Sequence, residues 1–437
     1  MEGTILPDLG TPNASHSVST FINCPYYFPS LPQLQRRKHC LSVLALIDNK
    51  PNSVPTIALP LHIPNKPTLD ELIDAVINDQ TLLASEGEVD TMFFNNRDVI
   101  NYEGNEFYRF RYTDTNVHCS HQHPQLRNLV YATSKNDVYY LYDNSIQHWS
   151  PQRRSSTTIL GRPLRNLHSR IPNRITTMAA MDEFLIVGGE DGSFTFMNLQ
   201  TCENPVYDSF TTEHYLEVNG IEITRSRTGA YMSSNDHVDK QLRCLDLTTL
   251  QVSATFPALK FANFASQSPD GHMLALATDE LEGHVMSVNS REKIATLKGH
   301  QRFSFSVAWS PDSRMLATGN DDHSTCVFDT RMLTTPVHIL SREVQESVRS
   351  LRYSNCGRYL AMAEDRHYVH IVDTTTNYSQ AQKIDFVGDI SGISFTPDGE
   401  GLYIGVSSID FSSLLEFEKF RPSSGGTKYD QFDPLCF

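Results

Sequence analysis

The stretch SPDSRMLATGNDDHSTCVFDTR, residues 310–331, concentrates side chains that can do acid–base or metal chemistry. Asp321, Asp322 and His323 are adjacent, and Cys326 follows three positions later. Carboxylates, an imidazole and a thiol could act as metal ligands, or as general acid and base, if the fold brought them into one cleft. The same residues are typical of a turn, because Asp side chains bond the local backbone. Recurrence of the pattern elsewhere in the chain would favour the turn.

Two further segments have the composition of a site but not its spacing. GGEDG, 188–192, lacks the lysine and the following helix of a phosphate-binding loop. HCSHQH, 118–123, holds His118, Cys119, His121 and His123, but structural zinc wants four ligands, usually from two separated pairs, and no second pair is present. No GxSxG elbow and no Ser/His/Asp or Cys/His arrangement stands out. The sequence therefore predicts no catalytic residue, no metal and no cofactor.

Composition favours a soluble, strand-rich protein of the cytoplasm or nucleus. The 437 residues carry a net charge of -15, which argues against nucleic-acid binding, and they are 39% hydrophobic. No apolar run reaches the roughly 20 residues that span a bilayer, and the N-terminus does not resemble a secretory signal. The eight cysteines form no CxxC pair, which fits reduced thiols.

The beginning and the end of the chain differ from the part between them. Residues 1–67 hold ten of the 22 prolines, so this segment cannot supply central strands. Thr68 and Glu71 have capping-box spacing, and apolar residues then recur at helical spacing, which predicts one amphipathic helix near 68–85. We expect an N-terminal extension over 1–90, a main domain over 91–420 and a tail over 421–437.

A tetrapeptide recurs along the main domain. SRTG, SPDG, SPDS, SNCG and TPDG begin at 226, 268, 310, 354 and 396, at intervals of 42 to 44 residues. A short apolar strand precedes and follows each copy, and an apolar–acidic or apolar–amide pair such as Phe328-Asp329 comes later. Two looser units, over 107–149 and 175–201, bring the total to seven. A period of about 42 residues with four strands per unit is typical of a β-propeller blade.

These residues resemble the WD40 repeat, and the strongest copy is LKGHQRFSFSVAWSPDSRMLATGNDDHSTCVFDTR, 297–331. Over about 107–420 the chain is also similar to an uncharacterised group of WD-repeat proteins from fungi and plants. The resemblance implies an all-β, seven-bladed propeller. It also implies a hydrogen-bonded tetrad, in which His300, Thr318 and Asp322 match the pattern. Phe328 stands where the family has Trp, so the indole N–H of the tetrad is absent.

The family resemblance implies a non-catalytic scaffold for protein–protein interaction, either monomeric or part of a complex. Such proteins most often bind partners at the face where loops lead into the first strand of each blade. The residues predicted for contact there are Arg302, Phe303, Phe305, Ser347, Arg349, Asp389 and Ser391.

Two alternatives remain. Phe328-Asp329-Thr330-Arg331 loosely resembles the WDxR-like box of substrate receptors of cullin-4 ubiquitin ligases, in which Arg331 would contact the ligase. Some propellers are hydrolases or lactonases with ligands in the central channel, and single motifs do not reveal such sites.

Closure of the ring requires a last strand from outside the repeats. After LLEFEK the chain is turn-rich, so we expect a strand near 91–102, TMFFNNRDVINY, to complete the last blade. Deletion of residues 1–105 should then destabilise the propeller.

Overall fold

The described part of the chain is built of β-strands. In this computed structural model the described residues are 103–421, except 115, 122, 124–126, 162–173, 202–204, 210–216, 225–228, 235–240, 258–261, 342–343 and 409–411. They contain no α-helix, one 3-10 turn at Thr374–Thr376, and no helix long and apolar enough to cross a bilayer. The helix predicted at 68–85 and the strand predicted at 91–102 lie outside the described residues.

Five antiparallel sheets have four strands each, paired in chain order. The first contains β3 (Val130–Ala132), β4 (Val138–Tyr142), β5 (Ser145–Ser150) and β6 (Ser155–Leu160). The second contains β7 (Ile175–Met181), β8 (Phe184–Gly189), β9 (Ser193–Asn198) and β10 (Val206–Ser209). The third contains β11 (Val218–Thr224), β12 (Gly229–Ser234), β13 (Gln241–Asp246) and β14 (Gln251–Pro257). The fourth contains β15 (Ala262–Gln267), β16 (Met273–Thr278), β17 (Gly283–Ser287) and β18 (Lys293–Leu297). The fifth contains β19 (Ser304–Trp309), β20 (Met315–Asn320), β21 (Thr325–Asp329) and β22 (His338–Leu340).

The sixth sheet has eight strands and consists of two groups that share one long strand. Its members are β1 (Glu103–Gly104), β2 (Tyr108–Tyr112), β23 (Val348–Tyr353), β24 (Tyr359–Glu364), β25 (Arg366–Asp373), β26 (Gln380–Phe395), β27 (Gly401–Ser407) and β28 (Ser413–Lys419). The first part of β26 pairs with β25 and its last part pairs with β27. One group is therefore β23–β26, and the other is β26, β27, β28 and β2.

The first strands of successive groups form a ring. β3, β7, β11, β15, β19, β23 and β26 contact one another in this order, and β26 contacts β3. They are among the most buried strands: every residue of β15 and β19 is buried. Apolar side chains fill the space between neighbouring sheets, as where Phe264 packs in one cluster with Trp309 and Phe328. This is a propeller arrangement, because each sheet buries its faces against its neighbours.

In its described copies the recurring tetrapeptide forms the tight turn between first and second strands. Ser310 donates its hydroxyl proton to Asp312 Oδ1 over 2.6 Å, and the Ser313 amide donates to the Ser310 carbonyl. Ser313 has φ 59°, in the left-handed region, where the SPDG and TPDG copies place Gly271 and Gly399. The spacing of Ser, Asp and Gly thus reflects backbone geometry that the turn requires.

The strand that completes the last group is β2, which corrects the sequence-based assignment. β2 pairs with β28, and Arg109 and Arg111 form ion pairs with Glu418 and Glu416. FYRFRYT, assigned above to the first repeat unit, therefore belongs to the last group. Its place in the chain is no guide to its partner, because the ends of a ring meet in space.

Candidate functional site

All predicted contact residues except Arg331 lie at one end of the sheets. We call this the upper end: first strands begin there and second strands end there, as where Ser304 pairs with Asn320. Arg302 and Phe303 lead into β19, and Asp321 follows β20. Arg331 follows β21, which runs towards the opposite, lower end, where Asp329 pairs with Met315.

Only some of these residues reach the surface. The Arg302 side chain is 61% exposed and that of Asp389 is 37% exposed, while Phe303 is half-buried. The others are buried: Phe305, Ser347, Arg349 and Ser391. The prediction that these four contact a partner directly needs correction, because a partner could not reach them without local rearrangement. Three of them support the exposed residues instead: Phe305 packs against Phe303, and Ser347 and Arg349 contact Asp321, which pairs with Arg302.

Arg349 is fixed beneath the upper end. Its side chain is 1% exposed, and its guanidinium carbon lies 3.8 Å from the centre of the Phe305 ring. Nε lies 3.4 Å from Asp365 Oδ1, and Nη2 lies 3.7 Å from Asp321 Oδ1. Burial, opposed by the charge of Asp365, lowers the pKa of Arg349 to about 10. The side chain therefore remains charged at neutral pH and links the fifth sheet to the sixth.

Asp365 is the centre of the buried charge cluster. Arg127 Nη2 donates to its Oδ1 over 3.1 Å, Arg366 Nη2 donates to its Oδ2 over 3.3 Å, and Arg349 lies beside it. Burial alone would raise the pKa of Asp365, but the three arginines outweigh it and lower the pKa below its ordinary value. Arg127 precedes β3, so the cluster ties the first sheet to the sixth.

Two histidines complete the cluster on the side of the first sheet. Burial and the charge of Arg127 lower the pKa of both His121 and His123 to about 3. His123 Nε2 lies 3.5 Å from Glu217 Oε1, and burial raises the pKa of Glu217 to about 7. Because His123 is neutral at physiological pH, this contact is a polar contact rather than an ion pair. His121 and His123 are therefore part of the upper end, and the described residues contain no group of His, Cys, Asp or Glu arranged to hold a metal.

Sequence reasoning missed Arg127, Asp365 and Arg366. Arg127 and Asp365 are 238 positions apart, and no local pattern pairs them. The only available signal was the position of Asp365, which directly follows a second strand as Asp321 does.

The predicted tetrad is present in three of its four members. His300 Nε2 lies 2.7 Å from Thr318 Oγ1, and Nδ1 lies 3.1 Å from Asp322 Oδ2. Phe328 is fully buried among apolar side chains and has no polar role. Asp322 also accepts from the Gln301 amide and from Ser324. Asp321, Asp322 and His323 lie in the turn between β20 and β21.

The stability of the fold is expected to depend on His300 above neutral pH. Burial opposes its protonation, but Cys326 and Asp322 outweigh burial and raise the pKa of His300 to about 10. The unfolded chain releases this proton near pH 6.5. The stabilisation is therefore complete below about pH 6.5 and is lost as pH rises towards 10. Each unit of pKa difference is about 1.4 kcal/mol, so we expect a loss of at least about 1 kcal/mol.

Urea unfolding at pH 6, 7, 8 and 9 tests this dependence. The quantity compared is the difference in free energy of unfolding between the wild type and His300→Gln at each pH. The difference should shrink as pH rises. The exposed His272→Gln is the matched control and should leave the pH profile unchanged. A wild-type profile parallel to that of His300→Gln would contradict the assignment.

Arg331 lies at the rim of the lower end. Its side chain is 87% exposed and forms a two-point ion pair with Asp329, with Nε 2.9 Å from Oδ1. This pairing lowers the pKa of Asp329 to about 2. Exposed ion pairs contribute little to stability. Asp329 therefore orients the Arg331 side chain but leaves it available to a binding partner.

Comparison with protein families matches residues 291–329 to the family described as WD domain, G-beta repeat. The matched range ends with β21 and includes His300, Thr318, Asp322 and Phe328, which are the tetrad positions. The four tetrad positions, whose contacts stabilise the fold, are therefore part of the segment that matches the family.

Three curated relatives show how far the similarity extends. An uncharacterised protein of Schizosaccharomyces pombe is 24% identical over 341 residues, which are 69% of this chain and 92% of that protein. The periodic tryptophan protein 2 homolog of Dictyostelium discoideum is 25% identical over 51% of this chain and 26% of its own length. Human eukaryotic translation initiation factor 3 subunit I is 26% identical over 32% of this chain and 46% of its own length. The chain thus spans nearly all of the yeast protein but less than half of the other two.

Proposed function

The chain belongs to the WD40-repeat proteins, and on that premise we propose that it is a non-catalytic scaffold that binds other proteins at its upper end. The main support is the buried charge cluster around Asp365, directly beneath an exposed surface. Ion pairs from Arg127, Arg349 and Arg366 hold the ends of the first and sixth sheets together. A rigid base of this kind allows surface residues to bind without losing much conformational entropy.

Arg302 and Phe303 are the proposed anchors on this surface. Asp321 holds Arg302 at 3.2 Å, and Phe303 packs edge-to-face against the buried Phe305 ring. Arginine and aromatic side chains that are oriented before binding are enriched among residues that dominate binding energy. The name of the human relative describes a subunit of a larger factor, which supports a role as a component of a protein complex.

The test is affinity purification with mass spectrometry from native extract, with Arg302→Ala/Phe303→Ala compared with the wild type. We expect at least one co-purifying protein to fall by about tenfold or more, because truncating a dominant contact costs about 2 kcal/mol or more. Arg314→Ala is the matched control, since Arg314 is 83% exposed at the lower end. An unchanged set of partners, with unchanged melting of the variant, would overturn the proposed interface.

We further propose that the ring has seven blades, counting the two groups of the sixth sheet separately. The seven strands that contact one another around the ring support this count. In this proposal the propeller lies within 91–420, preceded by an extension and followed by a short tail. We also propose that the protein is cytoplasmic or nuclear, and that it is a monomer or a subunit of a complex. The net charge of -15 supports the proposal that it does not bind nucleic acid.

A substrate receptor of a cullin-4 ligase is the second candidate. The exposure of Arg331 at the end of β21, two residues after Asp329, favours it. Arg331→Ala should then remove the ligase adaptor from the purified complex while leaving the Arg302-dependent partners in place. Retention of the adaptor would exclude this role. A hydrolase or lactonase with its site in the central channel stays a hypothesis. A cavity lies at the lower end of the ring, and none of the described residues that line it is a histidine.

A further inference from the structure

A cavity of about 340 Å³ lies at the lower end of the ring of first strands. Its wall consists of the last residues of these strands and the turns that follow them. The aromatic rings in the wall are Tyr131, Phe264, Trp309, Tyr353 and Phe395. The volume and the mainly apolar lining with a few polar groups are typical of small-molecule sites. The cavity is at the opposite end from the proposed protein interface and is independent of it.

Arg352 brings a positive charge to this cavity, and its hydrogen-bond partners are all neutral. Its Nη2 donates to Asn128 Oδ1 over 3.1 Å and to the Tyr131 hydroxyl over 2.9 Å, and its Nη1 donates to the Leu351 carbonyl. All three acceptors are neutral, and no carboxylate among the described residues lies within 4 Å of it. Glu222 acts on this guanidinium without forming an ion pair with it, so an anion that enters the cavity can make a charge-assisted hydrogen bond that Arg352 otherwise lacks.

Two carboxyl groups line the same cavity: the exposed Asp182, in the turn after β7, and Glu222, in β11. Glu222 Oε1 accepts from the Ser266 hydroxyl and its Oε2 accepts from the Gln267 amide, each over 2.9 Å. These bonds hold it on the wall formed by β11 and β15. Burial raises the pKa of Glu222 to about 7. Below that pH the group is mostly neutral and does not repel an anion.

We propose that this cavity binds a small organic carboxylate with an apolar or aromatic body. The carboxylate lies on Arg352, within reach of the Tyr131 hydroxyl, and the body lies among the aromatic rings. Because Nη2 already donates to Asn128 and Tyr131, the carboxylate accepts a charge-assisted hydrogen bond from one of the remaining N–H groups of Arg352. Ionised Glu222 competes with the ligand for the positive charge, so the affinity falls as pH rises through about 7.

The experiment measures binding of 3-phenylpropanoate and of its neutral amide to the full chain by ligand-observed NMR and thermal shift, at pH 6 and pH 8. We expect the acid to bind at least about tenfold more tightly than the amide at pH 6, since a charge-assisted bond is worth about 1.5 kcal/mol or more. Glu222→Gln should keep acid binding and remove its pH dependence. Arg352→Gln should reduce binding of the acid at least about tenfold.

Arg302→Ala is the control at the other end of the ring and should leave binding of the acid unchanged, which separates this site from the proposed interface. A peptide that ends in Phe with a free carboxylate, compared with the free acid, tells whether a protein terminus or a small molecule is the better ligand. Equal binding of acid and amide by the wild type, or no binding of either, would overturn the proposal. This comparison does not depend on whether Arg352→Gln folds.

Discussion

Replacement of Asp365 by Asn is expected to lower the free energy of unfolding by about 3–5 kcal/mol, the cost of removing one partner from a buried ion pair. The substitution keeps the shape of the side chain but removes the charge that faces Arg127, Arg349 and Arg366. Arg127 and Arg349 are almost fully buried and cannot reach water to recover the lost interaction. The first and sixth sheets meet at this cluster. Weakening it therefore lowers the free energy of unfolding of the whole ring.

Urea unfolding at pH 7 measures this effect. Glu282→Gln is the matched control: it removes a carboxylate from an exposed ion pair with Lys298 and should change stability by less than about 1 kcal/mol. If Asp365→Asn changes stability as little as Glu282→Gln, the cluster does not hold the sheets together. Partner binding that involves Arg302 should also weaken in Asp365→Asn, because the base of the interface loosens.

The repeating part of the fold was predictable because its signals are local. The turn after each first strand needs a hydroxyl, an Asp and a residue with positive φ, and Ser310, Asp312 and Ser313 supply them within four positions. The interval between copies then gives the size of the unit. His300 and Asp322 are 22 positions apart, and it was the resemblance to the WD40 repeat that predicted them as members of a structural tetrad.

The charge cluster and the cavity were not predictable, because their residues meet only when the ring closes. Asp365 bonds Arg127 from the far end of the chain, and Arg352 shares the cavity with Glu222 from a sheet three positions away in the ring. The exposure of the Arg349 side chain was also predicted wrongly. Its residue type and its position near the start of a first strand had indicated a surface contact. A Phe ring and two carboxylates offered this guanidinium a buried site, and the sequence pattern carries no signal for that.

Removal of β2 is expected to destabilise the propeller by about 3–5 kcal/mol or more, which is the cost of losing one large buried aromatic side chain. Tyr108 is fully buried, and its hydroxyl donates to the Gly399 carbonyl over 2.7 Å. Deletion of residues 1–113 would also leave β28 as an unpaired edge, with exposed N–H and C=O groups. Deletion of residues 1–105 removes β1 but keeps β2, so the difference between the two truncated chains reports on β2.

Urea unfolding of the two truncated chains separates closure by β2 from any effect of the preceding residues. The shorter chain should unfold at lower urea, and a synthetic peptide of residues 103–114 should restore part of the lost stability in a concentration-dependent way, because it binds only the folded ring. Tyr108→Ala in the full chain should show most of the same loss. Equal urea midpoints for the two truncations would mean that the stability of the ring does not depend on the pairing of β2 with β28.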